Sequence, residues 1–169
     1  MVRSHPSPVY GKYRGVVTDN IDPEHLGRIQ ARVPSLLGQR STGWATPCIP
    51  YAGQESDGTN VGFFLIPPVG ANVWIEFEEG QLEYPIWSGC FWANGQVPSG
   101  ATSPYVKVIA TDFANITIDD QGHSLAVQTK TGLKMTMDAS GITLSNGPSS
   151  SIALTQASVS INNGALEVV

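Results

Sequence analysis

From Asn115 to the end of the chain one short pattern repeats: an apolar residue, a small or polar one, a second apolar one, then a turn. The apolar pairs are Ile116/Ile118, Leu125/Val127, Met135/Met137, Ile142/Leu144, Ile152/Leu154, Val159/Ile161 and Leu166/Val168. Between them lie turn-forming runs such as Asp119-Asp120-Gln121-Gly122, Lys130-Thr131-Gly132, Asp138-Ala139-Ser140-Gly141 and Asn162-Asn163-Gly164. Strict alternation bounded by Gly, Asn, Asp and Ser predicts short strands with one buried face. The pairs begin every seven to ten residues, seven times over, which marks a repeat array. A two-residue apolar stripe has nothing in a single chain to pack against. The expected solution is three copies wound round a common axis, three being the smallest number that closes a prism. Each stripe then faces the other chains, the fourteen paired residues form the trimer core, and strand edges hydrogen-bond to neighbouring chains. Seven layers at about 4.8 Å give a rod of roughly 30 Å. The regular pairs and the absence of charge blocks disfavour a disordered tail, and the shortness of the array disfavours a single-chain parallel β-helix.

Upstream, the pattern changes to longer, non-equivalent strands. Tyr13-Arg14-Gly15-Val16-Val17 opens a strand that ends at the turn Asp19-Asn20-Ile21-Asp22-Pro23. Arg28 to Val33 then alternates, with Ile29, Ala31 and Val33 on a buried face and Arg28, Gln30 and Arg32 on a wet, basic one. Trp44 to Cys48 follows, and a loop from Gly53 to Gly62 leads to the apolar run Phe63-Phe64-Leu65-Ile66. Asn72 to Phe77 buries Val73, Ile75 and Phe77 or the opposite set, and Glu78-Glu79-Gly80 turns the chain towards Tyr84 to Gly89. About five strands with unlike loops and no helical periodicity fit a small closed barrel of OB type. The expected architecture is therefore all-β: an N-terminal arm (1–11), an OB-fold barrel (12–93), a Pro/Gly/Ser linker (94–104) and a C-terminal intertwined trimeric β-helix, or β-prism (105–169). Tyr105 to Ile109 is its first step.

Composition agrees with a turn-rich β protein: 169 residues carry 18 Gly and 12 Pro, with 14% charged. A net charge of −5 with scattered Lys and Arg disfavours a phosphate-binding surface, so no specific nucleic acid is expected. The opening Met1-Val2-Arg3-Ser4-His5-Pro6 lacks the apolar core of a signal peptide. Cys48 and Cys90 lie in apolar β contexts, which predicts two buried thiols, with a disulfide as the alternative.

Taken in order, Tyr13-Arg14-Gly15-Val16-Val17, Asp22-Pro23 and Leu26-Gly27-Arg28-Ile29-Gln30-Ala31-Arg32-Val33-Pro34 resemble the opening of the barrel domain in phage baseplate spike proteins, the V-type baseplate assembly proteins. The same domain occurs in the VgrG spikes of type VI secretion and in extracellular contractile injection systems. Trp44-Ala45, Pro68-Val69-Gly70 with Val73-Trp74-Ile75-Glu76-Phe77, and Gly80 with Pro85-Ile86-Trp87-Ser88-Gly89 continue the likeness across residues 12 to 92. Asn72 departs from it where an Asp often follows the Val-Gly turn, as does Gln81-Leu82-Glu83 where a Gly-Asp-Pro kind of turn is usual.

The resemblance implies the homotrimeric central spike of a contractile tail baseplate, a non-enzymatic part with no cofactor. Its barrels would dock on a separate tail hub protein, and its needle would pierce the target cell envelope on sheath contraction. It would assemble in the host cytoplasm and reside in the virion or an extracellular injection particle. A type VI-like apparatus is a further alternative. The apolar, blunt end at Leu166, Val168 and Val169 would be a platform for a PAAR-like tip protein, or simply the last core layer, and the two are compatible.

The candidate chemistry is thin. His5, His25 and His123 are far apart and fall in a tail and two turns, so no catalytic or metal role is assigned. Glu76, Glu78, Glu79 and Glu83 read as a solvated face rather than as glycosidase carboxylates. Ser88 has no His near it in sequence and is not in a nucleophile elbow. Trp44, Trp74, Trp87, Phe91 and Trp92 invite a base-stacking surface, but without a basic groove core and trimer packing is the preferred reading. Outside the family, an OB module binding oligosaccharide or nucleic acid and an envelope-degrading hydrolase remain the alternatives.

Overall fold

A computed structural model describes residues 8–148 and 150–168, so His5, most of the N-terminal arm and Val169 lie outside the described residues. The chain divides between Gly95 and Gln96 into two compact units.

The first unit carries β1 (Tyr13–Asp19), β2 (Gln30–Arg32), β3 (Thr46–Pro47), β4 (Ala52–Gln54), β5 (Asn60–Gly62), β6 (Asn72–Phe77) and β7 (Pro85–Cys90). Five of them form one sheet in the order β2-β1-β6-β7-β3. Single residue pairs, Ile29 with Ala45 and Arg32 with Ser41, tie β2 to the segment leading into β3, bringing the two edges of the sheet together as in an OB-like barrel. Period-two alternation decides which side faces in. In β6, Val73, Ile75 and Phe77 are buried, while Asn72, Trp74 and Glu76 are only partly so. With Val17, Ile29, Ala31, Val33, Ala45 and Trp87 they make the core. Gly15 packs tightly there: a Cβ would stand 3.0 Å from Ile75 Cγ1, and that side chain would have to give. Among the described residues the helix content is a single turn, α1 (Pro34–Leu37), started by a proline suited to the first helical position, plus a 3₁₀ turn at Glu78–Gly80.

The barrel departs from the sequence expectations at three places. The loop expected at Gly53 to Gly62 contains the hairpin β4–β5. Phe63, Phe64 and Leu65 are exposed and belong to no strand. The thiols of Cys48 and Cys90 are free and exposed rather than buried. Neighbouring apolarity was the wrong guide, because the face decides. β7 turns Pro85 and Trp87 inward, and Cys90, its last residue, stands opposite Val73 but is exposed at the strand end.

The second unit carries β8 (Val106–Ala110), β9 (Ala114–Asp119), β10 (Ser124–Thr129), β11 (Leu133–Asp138), β12 (Gly141–Asn146), β13 (Ser151–Leu154), β14 (Val159–Ile161) and β15 (Leu166–Val168). They form one eight-stranded sheet in sequence order, every neighbour antiparallel. The turns are built as their residues dictate. Asp119 Oδ1 accepts from Gln121 N and Gly122 N at 3.0 and 2.8 Å, and Asp138 Oδ1 accepts from Ser140 N at 2.8 Å. Asn162 and Asn163 take φ of 50° and 56° between β14 and β15. The expected intertwined β-helix, with strand edges bonded to sister chains, does not appear among the described residues: the unit is an antiparallel meander. Consecutive strands of the one chain satisfy each other's ladder, and what stays open is a face of the sheet.

Candidate functional site

The pairing register sorts the repeat residues without exception. Ile118, Leu125, Met137, Ile142, Leu154, Val159 and Val168 stand directly opposite one another across the sheet, strand after strand. Ile116, Val127, Met135, Leu144, Ile152, Ile161 and Leu166 form a second column beside the first. Both columns occupy one face, since two residues separate the members of each pair. The other face carries Thr117, Ala126, Thr136, Thr143, Ala153 and Ser160. Yet Ile116, Ile118, Met137, Leu144, Ile152, Leu154 and Val159 are exposed, while Thr117, Ala126, Thr136, Thr143, Ala153 and Ser160 are partly buried. Leu166 and Val168, both assigned to the blunt tip, are 56% and 60% exposed. A shallow groove of about 580 Å³ runs along the face between Val127, Leu133, Met135, Leu144, Ile152 and Ile161. An apolar surface of this extent marks an interaction site.

Two ion pairs stand near the β8 end of the sheet. Lys107, opposite Ile118 at the first step of a column, pairs with Asp120. Lys130 reaches Asp112 at 2.5 Å and holds that carboxyl below its usual range.

In the barrel, a polar knot orders the segment between β1 and β2. Asp22, with its side chain 4% exposed, accepts from the backbone of Glu24, Leu26 and Arg28 at 3.1, 2.8 and 3.2 Å. The Arg28 guanidinium meets the same carboxylate at 2.6 Å and Glu24 at 3.1 Å. Its hydrogen bond, backed by the three amides, holds the Asp22 carboxyl well below the ordinary carboxylate range, and the pairing raises Arg28 in turn. Trp87 Nε1 donates to Gly27 O at 3.2 Å and fastens the same loop to the core. Sequence reasoning placed Arg28 on a wet face. Asp22-Pro23 was readable as a turn, but its guanidinium partner six residues on had no periodic signal.

The remaining candidates are dispersed in roles of support. His25 and His123 occupy left-handed turn positions, with φ of 56° and 48°. Glu76 pairs with Lys12 at 3.2 Å, and Lys12 also donates to Ser88 Oγ at 2.7 Å. The Ser88 and Lys12 contacts hold the Glu76 carboxyl below its usual range. Glu78 and Glu79 form the 3₁₀ turn, and Glu83 is exposed. Of the aromatic set, only Trp87 belongs to the buried core. Trp74 and Phe91 stack at 4.7 Å on the outside of the barrel with the Arg14 guanidinium 5.1 and 4.7 Å from their rings, and Trp92 is exposed. Core packing therefore fails as a common account of the five. Trp74 follows the outward parity of β6, and Phe91 and Trp92 lie beyond the end of β7.

Two family models match the chain. One, described as the type VI secretion system/phage-baseplate injector OB domain, covers residues 13–92. The other, described as the phage baseplate V C-terminal trimerisation domain, covers residues 106–167. No curated protein matches the chain.

Proposed function

As the chain belongs to the phage baseplate V family of spike proteins, we propose that it is the homotrimeric central spike of a contractile tail baseplate. The observation that carries the reading is the pair of unbroken apolar columns on one face of a domain of the trimerisation kind. Three sheets set face to face would remove all fourteen side chains from water, at roughly 25 cal/mol for each Å² covered. The core of the trimer is then Ile116 to Val168 taken along the two columns, and the rod so made has no separable single-chain core. Load placed on it is shared by three chains. The barrels dock on a trimeric tail hub, Leu166, Val168 and Val169 form the seat of a PAAR-like tip protein, and the rod is driven into the target envelope when the sheath contracts. The role is mechanical and needs no catalytic group. The domains serve as an arm over 1–11, barrel over 12–93, linker over 94–104 and needle over 105–169. The same geometry serves a phage tail, an extracellular injection particle or a type VI-like machine.

The test is assembly state. The full chain is expected to migrate as a trimer in SDS without heating and as a monomer only after boiling. A stable, fully folded single subunit in sedimentation at working concentration overturns the reading.

A further inference from the structure

The hairpin β4–β5 belongs to no larger sheet, and every residue from Tyr51 to Leu65 except Val61 is exposed. A lone two-stranded hairpin is marginal in water. This one is nonetheless tightly tied. Glu55 N donates to Thr59 O at 2.8 Å, Thr59 N to Asp57 Oδ1 at 2.9 Å, Gln54 Nε2 to Asn60 Oδ1 at 3.0 Å, and Phe63 N to Tyr51 O at 2.9 Å. At its base Gly62 is obligatory, since a Cβ would stand 2.8 Å from Tyr51 O. Three strand residues a side, Ala52–Gln54 and Asn60–Gly62, give it a paired length of about 10 Å below the turn. Its tip carries Glu55 and Asp57, and its base presents Tyr51 and Phe63, ring against ring at 6.0 Å, beside Phe64 and Leu65.

The same barrel offers a matching surface. Lys12 and Arg28 are paired with carboxylates, but among the described residues Arg14, Arg32 and Arg40 meet none. Val16 lies opposite Arg32, so Arg14, two positions along β1, is its diagonal neighbour on the outer face, about 7–8 Å away. In a chain of net charge −5, arginines gathered without counter-charges are the natural seat of an acidic element.

We propose that the β4–β5 hairpin is an arm by which each barrel grips the next copy of this chain, its acidic tip meeting the Arg14/Arg32 face of the neighbour. The inference rests on the trimeric reading above. A second copy is the occupant because the chain carries both halves of the contact and a trimerisation domain. Each protomer then gives one arm and receives one, a head-to-tail contact that closes as a ring of three.

The experiment uses the full chain with Cys48→Ser and Cys90→Ser. Glu55→Cys with one affinity tag is co-expressed with Arg32→Cys carrying another, and the assembly is oxidised. The expected result is a disulfide-linked band bearing both tags, lost on reduction and absent when either variant is expressed alone. As a second measurement, Glu55→Lys is expected to weaken barrel contact and Arg32→Glu in the same chain to restore it, read as loss and recovery of amide-exchange protection over residues 52–62. Light scattering separates the two readings. A trimer that gives no mixed band and unchanged exchange overturns the arm and leaves the spike standing. A monomer overturns both.

Discussion

Asp22 gathers its partners on one buried carboxylate. One carboxylate takes three backbone amides and a guanidinium, which replaces the water it loses on burial. Because its folded-state pKa lies below that of the unfolded chain, the stabilisation is complete above the ordinary Asp value of about 3.9. It is lost as pH falls from there towards the depressed folded value. Thermal melts of the wild type are expected to show the barrel transition falling steeply below about pH 4. Asp22→Asn should melt lower at neutral pH and show a shallower acid slope. An equal slope in the two proteins would remove Asp22 from the account. Ile75, fully buried and capped by Gly15, reports on packing instead. Ile75→Ala is expected to cost about 2–5 kcal/mol in denaturant titration followed by tryptophan fluorescence.

At the scale of elements, the sheet faces test the repeat. Leu144→Asp places a carboxylate in an apolar column, where an unpaired buried charge costs several kcal/mol, and is expected to abolish the trimer in light scattering. Thr143→Asp, one residue away on the opposite face, should leave it intact. Gly141 supports the same region differently. With φ of 134° and a Cβ site 1.9 Å from Leu154 O, Gly141→Ala should open the β12–β13 pairing, seen as loss of amide protection at Ile142 to Leu144. The repeat strands were legible because period two and turn residues are local signals, and β6 and β9 to β14 fall where the alternation puts them. Three things were not legible. That the ladder runs within one chain is a matter of pairing, which alternation does not address. The exposure of Cys90 and the Trp74/Phe91 stack depend on where β7 ends and what its last residues meet, which alternation does not specify. The Asp22–Arg28 pair and the hairpin in 52–62 depend on side-chain geometry in segments without a period.

For the whole molecule, folding and assembly of the needle are expected to be linked by mass action. A trimer that holds its apolar columns out of water must melt at a temperature that rises with protein concentration. Calorimetry over a hundredfold dilution series should move the needle transition. A needle transition indifferent to dilution would mean that the columns are covered by something other than sister chains.

The strictly consecutive pairing of β8 to β15 has a consequence for the length of the sheet, and with it of the proposed spike. Every strand depends only on the one before and the one after, so the sheet can gain or lose a hairpin anywhere along it without disturbing the rest. Excision of β11 and β12 together would return the chain in the same direction and bring Leu125 and Val127 opposite Leu154 and Ile152, columns unbroken. Excision of one strand alone would reverse the path of all that follow. Sheet length in this architecture is thus adjustable in steps of two strands, and duplication or loss of a whole hairpin is the natural way to change the reach of the proposed spike.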